Sequence, residues 1–199
     1  MNFLAHIYLS GTNQQVALGN LFGDMVKGDA YKKYPEDIRT GLVLHRAIDE
    51  FTDAHSSFKQ SRDLLKPYFN RYAGIVTDIY YDHFLAKNWN EFSDVDLQTT
   101  VQAIYTLMIK KYRILPARAQ KIAPFMILRN WLGNYGHFDP LHQVFLGMHR
   151  RTKEKGHMDL AVEKLKFHYK DLEEDFRTFM PDIIQFSEEK LNLLSAVEH

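Results

Sequence analysis

The chain has 199 residues, a formal net charge of zero and no cysteine. That length suits one domain with a substantial core, the charge balance argues against a general nucleic-acid binder, and the missing thiols exclude disulfide scaffolds and thiolate metal sites. No run of ~18 apolar residues occurs, so no membrane-spanning helix is expected. The opening Met-Asn-Phe-Leu-Ala-His also lacks the regions of a secretion signal, which makes the cytoplasm the expected compartment.

Taken in chain order, strand-like alternation is confined to Phe3 through Leu9. Helical periodicity then dominates over residues 14–27, 36–54, 57–66, 68–88, 94–112, 117–132, 138–152 and 158–179, with another helix after Pro181. Pro35, Pro116 and Pro181 fall where helices should begin, and Gly11, Gly28, Gly133 and Gly136 mark breaks or loops. The expected fold is therefore all-α, a single domain over residues 1–199 built from roughly eight or nine helices.

The most informative helix carries His45 and Asp49. At ~100° per residue, Ile38, Leu42, His45, Asp49 and Thr52 fall within roughly 80° of one another, so the imidazole and carboxylate lie in the apolar stripe, near its polar edge. A carboxylate facing inward is costly unless it is paired or binds a metal, and groups at i and i+4 can converge on one ion. Alone, such a pair reads first as an internal hydrogen bond. Two further apolar segments repeat the theme. Asp78 and Asp82 are four apart among Ile75, Ile79, Phe84 and Leu85, and Asp24 lies among apolar residues beside glycines that permit close backbone approach. His6, in the opening segment, can lie next to Asp24. Three such segments point to a cluster of oxygen and imidazole ligands suited to manganese, magnesium, iron or zinc.

The blocks Asn2-Phe-Leu-Ala-His6, Gly19-Asn-Leu-Phe-Gly-Asp-Met-Val-Lys-Gly28, His45-Arg-Ala-Ile-Asp49 with Thr52-Asp53, and Asp82-His-Phe-Leu85 ending at Trp89 resemble the acyl carrier protein phosphodiesterase family. Gly147-Met-His-Arg-Arg151 resembles a later family segment. The likeness runs in order over most of the chain and is densest before Trp89. It implies an all-helical bundle distantly similar to the HD phosphohydrolases, and a divalent cofactor, manganese first with magnesium or iron as alternatives. The implied reaction is hydrolysis of the phosphodiester that joins 4′-phosphopantetheine to a serine of holo-acyl carrier protein. The family's acidic and histidine positions fall on His6, Asp24, His45, Asp49, Asp53, Asp78, Asp82 and His83. The adjacent His-Asp dipeptide of ordinary HD enzymes is absent here.

On this reading Asp24, His45, Asp49 and Asp82 converge as metal ligands, with Asp53, Asp78 and His83 at the margin. A divalent ion generates a nucleophile from water near neutral pH. Asp24 and His6 are the expected catalytic residues, His6 being preferred to His83 as proton donor to the departing serine oxygen. Lys27, Arg46, Arg150 and Arg151 are expected to bind the phosphate oxygens.

Charge is distributed unevenly. Between Leu97 and Phe138 there is no acidic residue, yet Lys110, Lys111, Arg113, Arg118, Lys121 and Arg129 fall there. Such asymmetry reads either as solvated helix faces or as a surface that steers an acidic partner. Two alternatives stay open: a phosphohydrolase acting on a nucleotide or other small phosphodiester, and a non-enzymatic helical interaction protein. No phosphate-binding P-loop or serine-hydrolase elbow is present.

Overall fold

The computed structural model describes residues 1–197, and they are helical with no strand among them. Eleven α-helices are joined by short 3₁₀ turns. They are α1 (Phe3–Tyr8), α2 (Gln14–Leu21), α3 (Glu36–Ala54), α4 (Ser56–Phe69), α5 (Ala73–Lys87), α6 (Leu97–Lys110), α7 (Ala117–Leu128), α8 (Trp131–Asn134), α9 (Phe138–Arg151), α10 (Ala161–Phe167) and α11 (Tyr169–Val197). None is long and apolar enough to cross a membrane.

Several boundaries follow local chemistry. The Asn13 side chain accepts from the N–H groups of Gln15 and Val16 to start α2, and Asp96 does the same for Gln98 and Thr99 at α6. Pro35 and Pro116 stand just before α3 and α7, and Glu36 and Asp37 add negative charge where the α3 dipole favours it.

Other expectations are corrected. Phe3 to Tyr8 forms a helix, not a strand. No local side chain caps it; instead the buried Asp82 carboxylate of α5 accepts from the N–H groups of Leu4 at 2.8 Å and Ala5 at 2.9 Å. A cap supplied from so far along the chain leaves no trace in the local pattern. The helix expected over 14–27 ends at Leu21, and Asp24 lies in a 3₁₀ turn, Gly23–Met25. Pro67 and Pro181 do not interrupt α4 and α11, which run through them. An interior proline costs ~3 kcal/mol, but Phe176, Phe179, Met180 and Ile183 around Pro181 are all fully buried. Burying such side chains contributes ~1.5–3 kcal/mol each, so packing outweighs the lost hydrogen bond.

Helix α5 is the centre of the fold. Val76, Ile79, Tyr80, Tyr81, Phe84 and Leu85 are buried on all its sides, which marks a helix enclosed by others. It packs on α1, α4 and α11. The tightest pairing is between α2 and α3. A Cβ on Gly19 would lie 2.1 Å from the Ile38 carbonyl oxygen, and one on Gly41 2.1 Å from that of Val16. The two backbones therefore touch, which fixes the height of His45 on α3 against the end of α2.

Candidate metal centre

Three elements meet at the site: α1 brings His6, α3 brings His45 and Asp49, and α2 brings Asn20 between them. The His6 and His45 rings stack with centroids 4.0 Å apart and planes 25° apart. Gly23 makes room for this stack, since a Cβ there would lie 2.2 Å from the His45 Cγ atom. No rotation of the ring tip relieves that contact, so any side chain at this position displaces the imidazole.

Asn20, fully buried, orients both rings. Its Nδ2 donates to the His6 carbonyl oxygen at 2.8 Å and to Ser10 Oγ at 2.9 Å. The remaining Oδ1 can only accept, and it lies 2.7 Å from His6 Nδ1. The Asn20 backbone carbonyl likewise lies 2.7 Å from His45 Nδ1. His45 therefore carries its proton on Nδ1 when neutral, whereas His6 has an acceptor at each nitrogen, Asn20 Oδ1 at Nδ1 and the Met1 carbonyl oxygen 3.1 Å from Nε2. The Nε2 atoms of both rings face Asp49. His6 Nε2 is 3.3 Å from Asp49 Oδ1, and His45 Nε2 is 3.1 Å from Asp49 Oδ2. His45 Nε2 is buried and makes no hydrogen bond of good geometry.

Imidazole nitrogens facing a carboxylate need a proton or a cation between them, and His6, His45 and Asp49 form a group of three ligand atoms within 4.8 Å of one another. Two imidazole nitrogens and one carboxylate oxygen form a donor set that fits a divalent ion. The imidazoles held through their other nitrogen match the usual support of metal-ligating histidines.

The electrostatics show the same demand for positive charge. Burial lowers His45, but the Asp24 and Asp49 carboxylates beside its Nε2 more than offset this and raise it to about 9. Burial and the charge on His45 lower His6 to about 4. Although burial pushes Asp49 up, His45, His6 and the Met1 ammonium hold its carboxyl well below the ordinary range. The Met1 ammonium lies 3.5 Å from Asp49 Oδ1 and 3.0 Å from Asp78 Oδ1, linking Asp78 to the group from behind.

The other expected residues divide. Asp24 stands at the exposed edge, its Oδ1 3.4 Å from His45 Nε2, and His45 holds its carboxyl below the ordinary value. Asp53 is exposed one turn beyond Asp49 on α3. Arg46 Nη2 donates to the carbonyls of Val26 at 3.3 Å and Gly28 at 2.8 Å, and its guanidinium lies over the Tyr31 ring. It clamps the loop that follows Asp24 and carries the exposed Lys27.

Four expectations are not met by the geometry. Asp82 does not join the three-atom group, because both its oxygens are taken by the start of α1. His6 is not placed to donate a proton to a leaving group: it is buried, burial and the charge on His45 favour its neutral form, and its ring nitrogens face Asn20, the Met1 carbonyl oxygen and Asp49. His83 lies elsewhere, between the Tyr135 carbonyl oxygen at 2.9 Å and the Tyr169 hydroxyl at 3.2 Å, fully satisfied within the core. Arg150 and Arg151 are exposed at the end of α9, which packs on α8, α10 and the Met158–Leu160 turn, elements separate from those that form the group. Asn20 was the residue missed in sequence. Its signal was an amide in an apolar helical stretch, where only an internal partner makes burial tolerable.

A family model described as acyl carrier protein phosphodiesterase matches residues 1–183. Curated proteins of that name from Klebsiella pneumoniae and Yersinia pestis are 31% and 29% identical over 191 residues, covering 96% of this chain and 99% of each relative. Another from Salmonella agona is 31% identical over 182 residues, 91% of this chain and 94% of its own length. No solved structure matches the chain. The blocks that bring His6, Asn20, Asp24, His45 and Asp49 together thus lie within one matched span, and the chain belongs to the acyl carrier protein phosphodiesterase family.

Proposed function

We propose that the chain, acting as one domain in the cytoplasm, hydrolyses the phosphodiester between 4′-phosphopantetheine and a serine of holo-acyl carrier protein. His6, His45 and Asp49 would hold a divalent ion, manganese first. The observation that carries this reading is the pair of Nε2 atoms turned by Asn20 toward one carboxylate. When bound, such an ion lowers the pKa of a water and offsets charge on the phosphoryl oxygens.

The chain's own groups supply the rest. Asp24, ionised and exposed beside His45, takes a proton from the attacking water. As the bond from phosphorus to the serine oxygen breaks, Asp24 returns that proton to the oxygen, giving apo-carrier protein and 4′-phosphopantetheine. Arg46 keeps the Asp24 loop in place, and Lys27 on that loop supplies positive charge toward the phosphate. Asp82 holds α1, and through it His6, as a positioning residue.

The test compares substrates. Holo-carrier protein should be turned over in manganese and not in excess chelator, with kcat/KM at least about 100-fold above that for cyclic or linear nucleotide diesters, since productive positioning of the whole substrate lowers the barrier. Equal turnover of both classes would contradict the assignment of the carrier protein as substrate and favour a small phosphodiester.

A further inference from the structure

We infer that the outer face of α7, continued by the end of α6 and the turn after it, is the surface on which the carrier protein docks through an anionic and apolar face of its own. This rests on the phosphodiesterase reading for the identity of the partner, and on three observations for the place.

The first is charge. The molecule is neutral overall, so an acid-free run from Leu97 to Phe138 segregates cations onto one part of it. Lys110, Arg113, Arg118 and Lys121 are all exposed, and none forms an ion pair among the described residues. The second is apolar exposure. Five of the ten large hydrophobic side chains exposed among the described residues are Ile109, Tyr112, Ile114, Phe125 and Leu128, with Leu128 83% and Phe125 56% exposed. On α7 the two features share one face. Arg118, Lys121, Phe125 and Leu128 fall within ~80° of one another at ~100° per residue, a stripe of two cations followed by two hydrophobes. Exposed apolar groups beside charge mark interaction sites more than solvated helix faces do.

The third observation is proximity. Leu115 and Pro116, between this stripe and α6, line one narrow cleft with Phe22, Val26 and Ile38. Phe22 and Val26 bracket the Gly23–Met25 turn that carries Asp24. Tyr112 and Gln120 tie the turn to α7, the tyrosine hydroxyl donating to the Gln120 carbonyl at 3.0 Å and the Gln120 amide to the Leu115 carbonyl at 3.0 Å. The basic and apolar surface is thus built directly onto the segment that forms the exposed edge of the metal centre. A protein held there presents its substituent to Asp24, whereas a small diester needs no such surface.

The test reads binding without turnover. Labelled holo-acyl carrier protein is titrated by fluorescence anisotropy with the whole chain in excess chelator. The parent protein should bind, more weakly as salt rises. Arg118→Glu with Lys121→Glu should weaken binding by about tenfold or more at low ionic strength, as expected for several charges acting together. Phe125→Ser with Leu128→Ser should weaken it without changing the salt dependence. Lys170→Glu with Lys190→Glu, on α11, should bind as the parent does. All six positions lie at least partly exposed, and helix content by circular dichroism confirms folding; Arg118→Gln with Lys121→Gln gives the same reading with a milder change. Equal binding by the parent and the charge-reversed variants would overturn the proposal, as would no binding by the parent. Retention of the parent on phosphatidylglycerol vesicles, lost in the same variants while carrier protein is not bound, would assign the surface to anionic lipid instead. Failure of the phosphodiesterase reading is separately visible as binding without release of 4′-phosphopantetheine once manganese is restored.

Discussion

Asp49→Asn is expected to abolish metal-dependent turnover and to leave a helical protein that manganese no longer stabilises. Among the described residues Asp49 is the one carboxylate that faces both Nε2 atoms, so its loss removes the negative member of the proposed donor set. Changing partners outside the ligands typically costs 10–100-fold in affinity or activity, and removal of a ligand should cost more, ~10³-fold in kcat/KM. Thermal unfolding supplies an independent readout. A ligand at 100 times its dissociation constant stabilises the folded state by ~2.7 kcal/mol, so the parent melts later with manganese, and the variant melts at the same temperature with or without it. A manganese-dependent rise in the variant equal to that of the parent would remove Asp49 from the site.

Asp82→Asn separates a helix cap from a ligand. Its two oxygens accept from Leu4 and Ala5 in a fully buried position. Burial raises its carboxyl to about 7, against the pull of those two N–H groups. The amide retains one acceptor and turns an NH₂ toward a backbone N–H. Hydrogen bonds to charged groups contribute ~1.5–3 kcal/mol, and the mismatched donor adds to the loss, so the variant should be destabilised by ~2–4 kcal/mol. For a chain of this size that lowers Tm by about 5–15 °C, and it does so in chelator, with no metal present. A metal ligand behaves differently: its substitution removes the manganese-dependent rise in Tm, whereas Asp82→Asn keeps that rise from a lower starting temperature.

These two aspartates show what periodicity conveys. His45 and Asp49 were legible because one helix carries both, and an i, i+4 spacing in an apolar stripe has a geometric meaning by itself. The glycines beside Asp24 were legible for a related reason: Gly19 and Gly23 read as points of close approach, and the Ile38 carbonyl and the His45 ring occupy the space they leave. Asp82 has the same spacing from Asp78, yet it serves another helix. Which of two inward carboxylates joins the histidine cluster and which caps a distant helix depends on tertiary contacts made 77 and 78 residues away along the chain. The same long-range cap turned an apparently strand-like opening into α1. His6 illustrates the converse: its place in the cluster was legible, but its proton chemistry depends on Asn20, whose side-chain oxygen meets His6 while its backbone carbonyl meets His45, and on the Met1 carbonyl. The prolines misled because a sequence window registers the broken hydrogen bond and not the buried aromatic surface that carries α11 on through Pro181.

The most direct measurement of the central claim is the intact mass of holo-acyl carrier protein after incubation with this chain and manganese in heavy-oxygen water. Attack of water on phosphorus predicts loss of the whole 4′-phosphopantetheine group, a carrier protein with the mass of the unmodified apo form, and one heavy oxygen on the phosphate of the released product. An unchanged carrier mass would contradict the account. So would heavy oxygen on the carrier serine, or a carrier lighter than the apo form by one water, either of which would place bond cleavage at the serine carbon instead of at phosphorus.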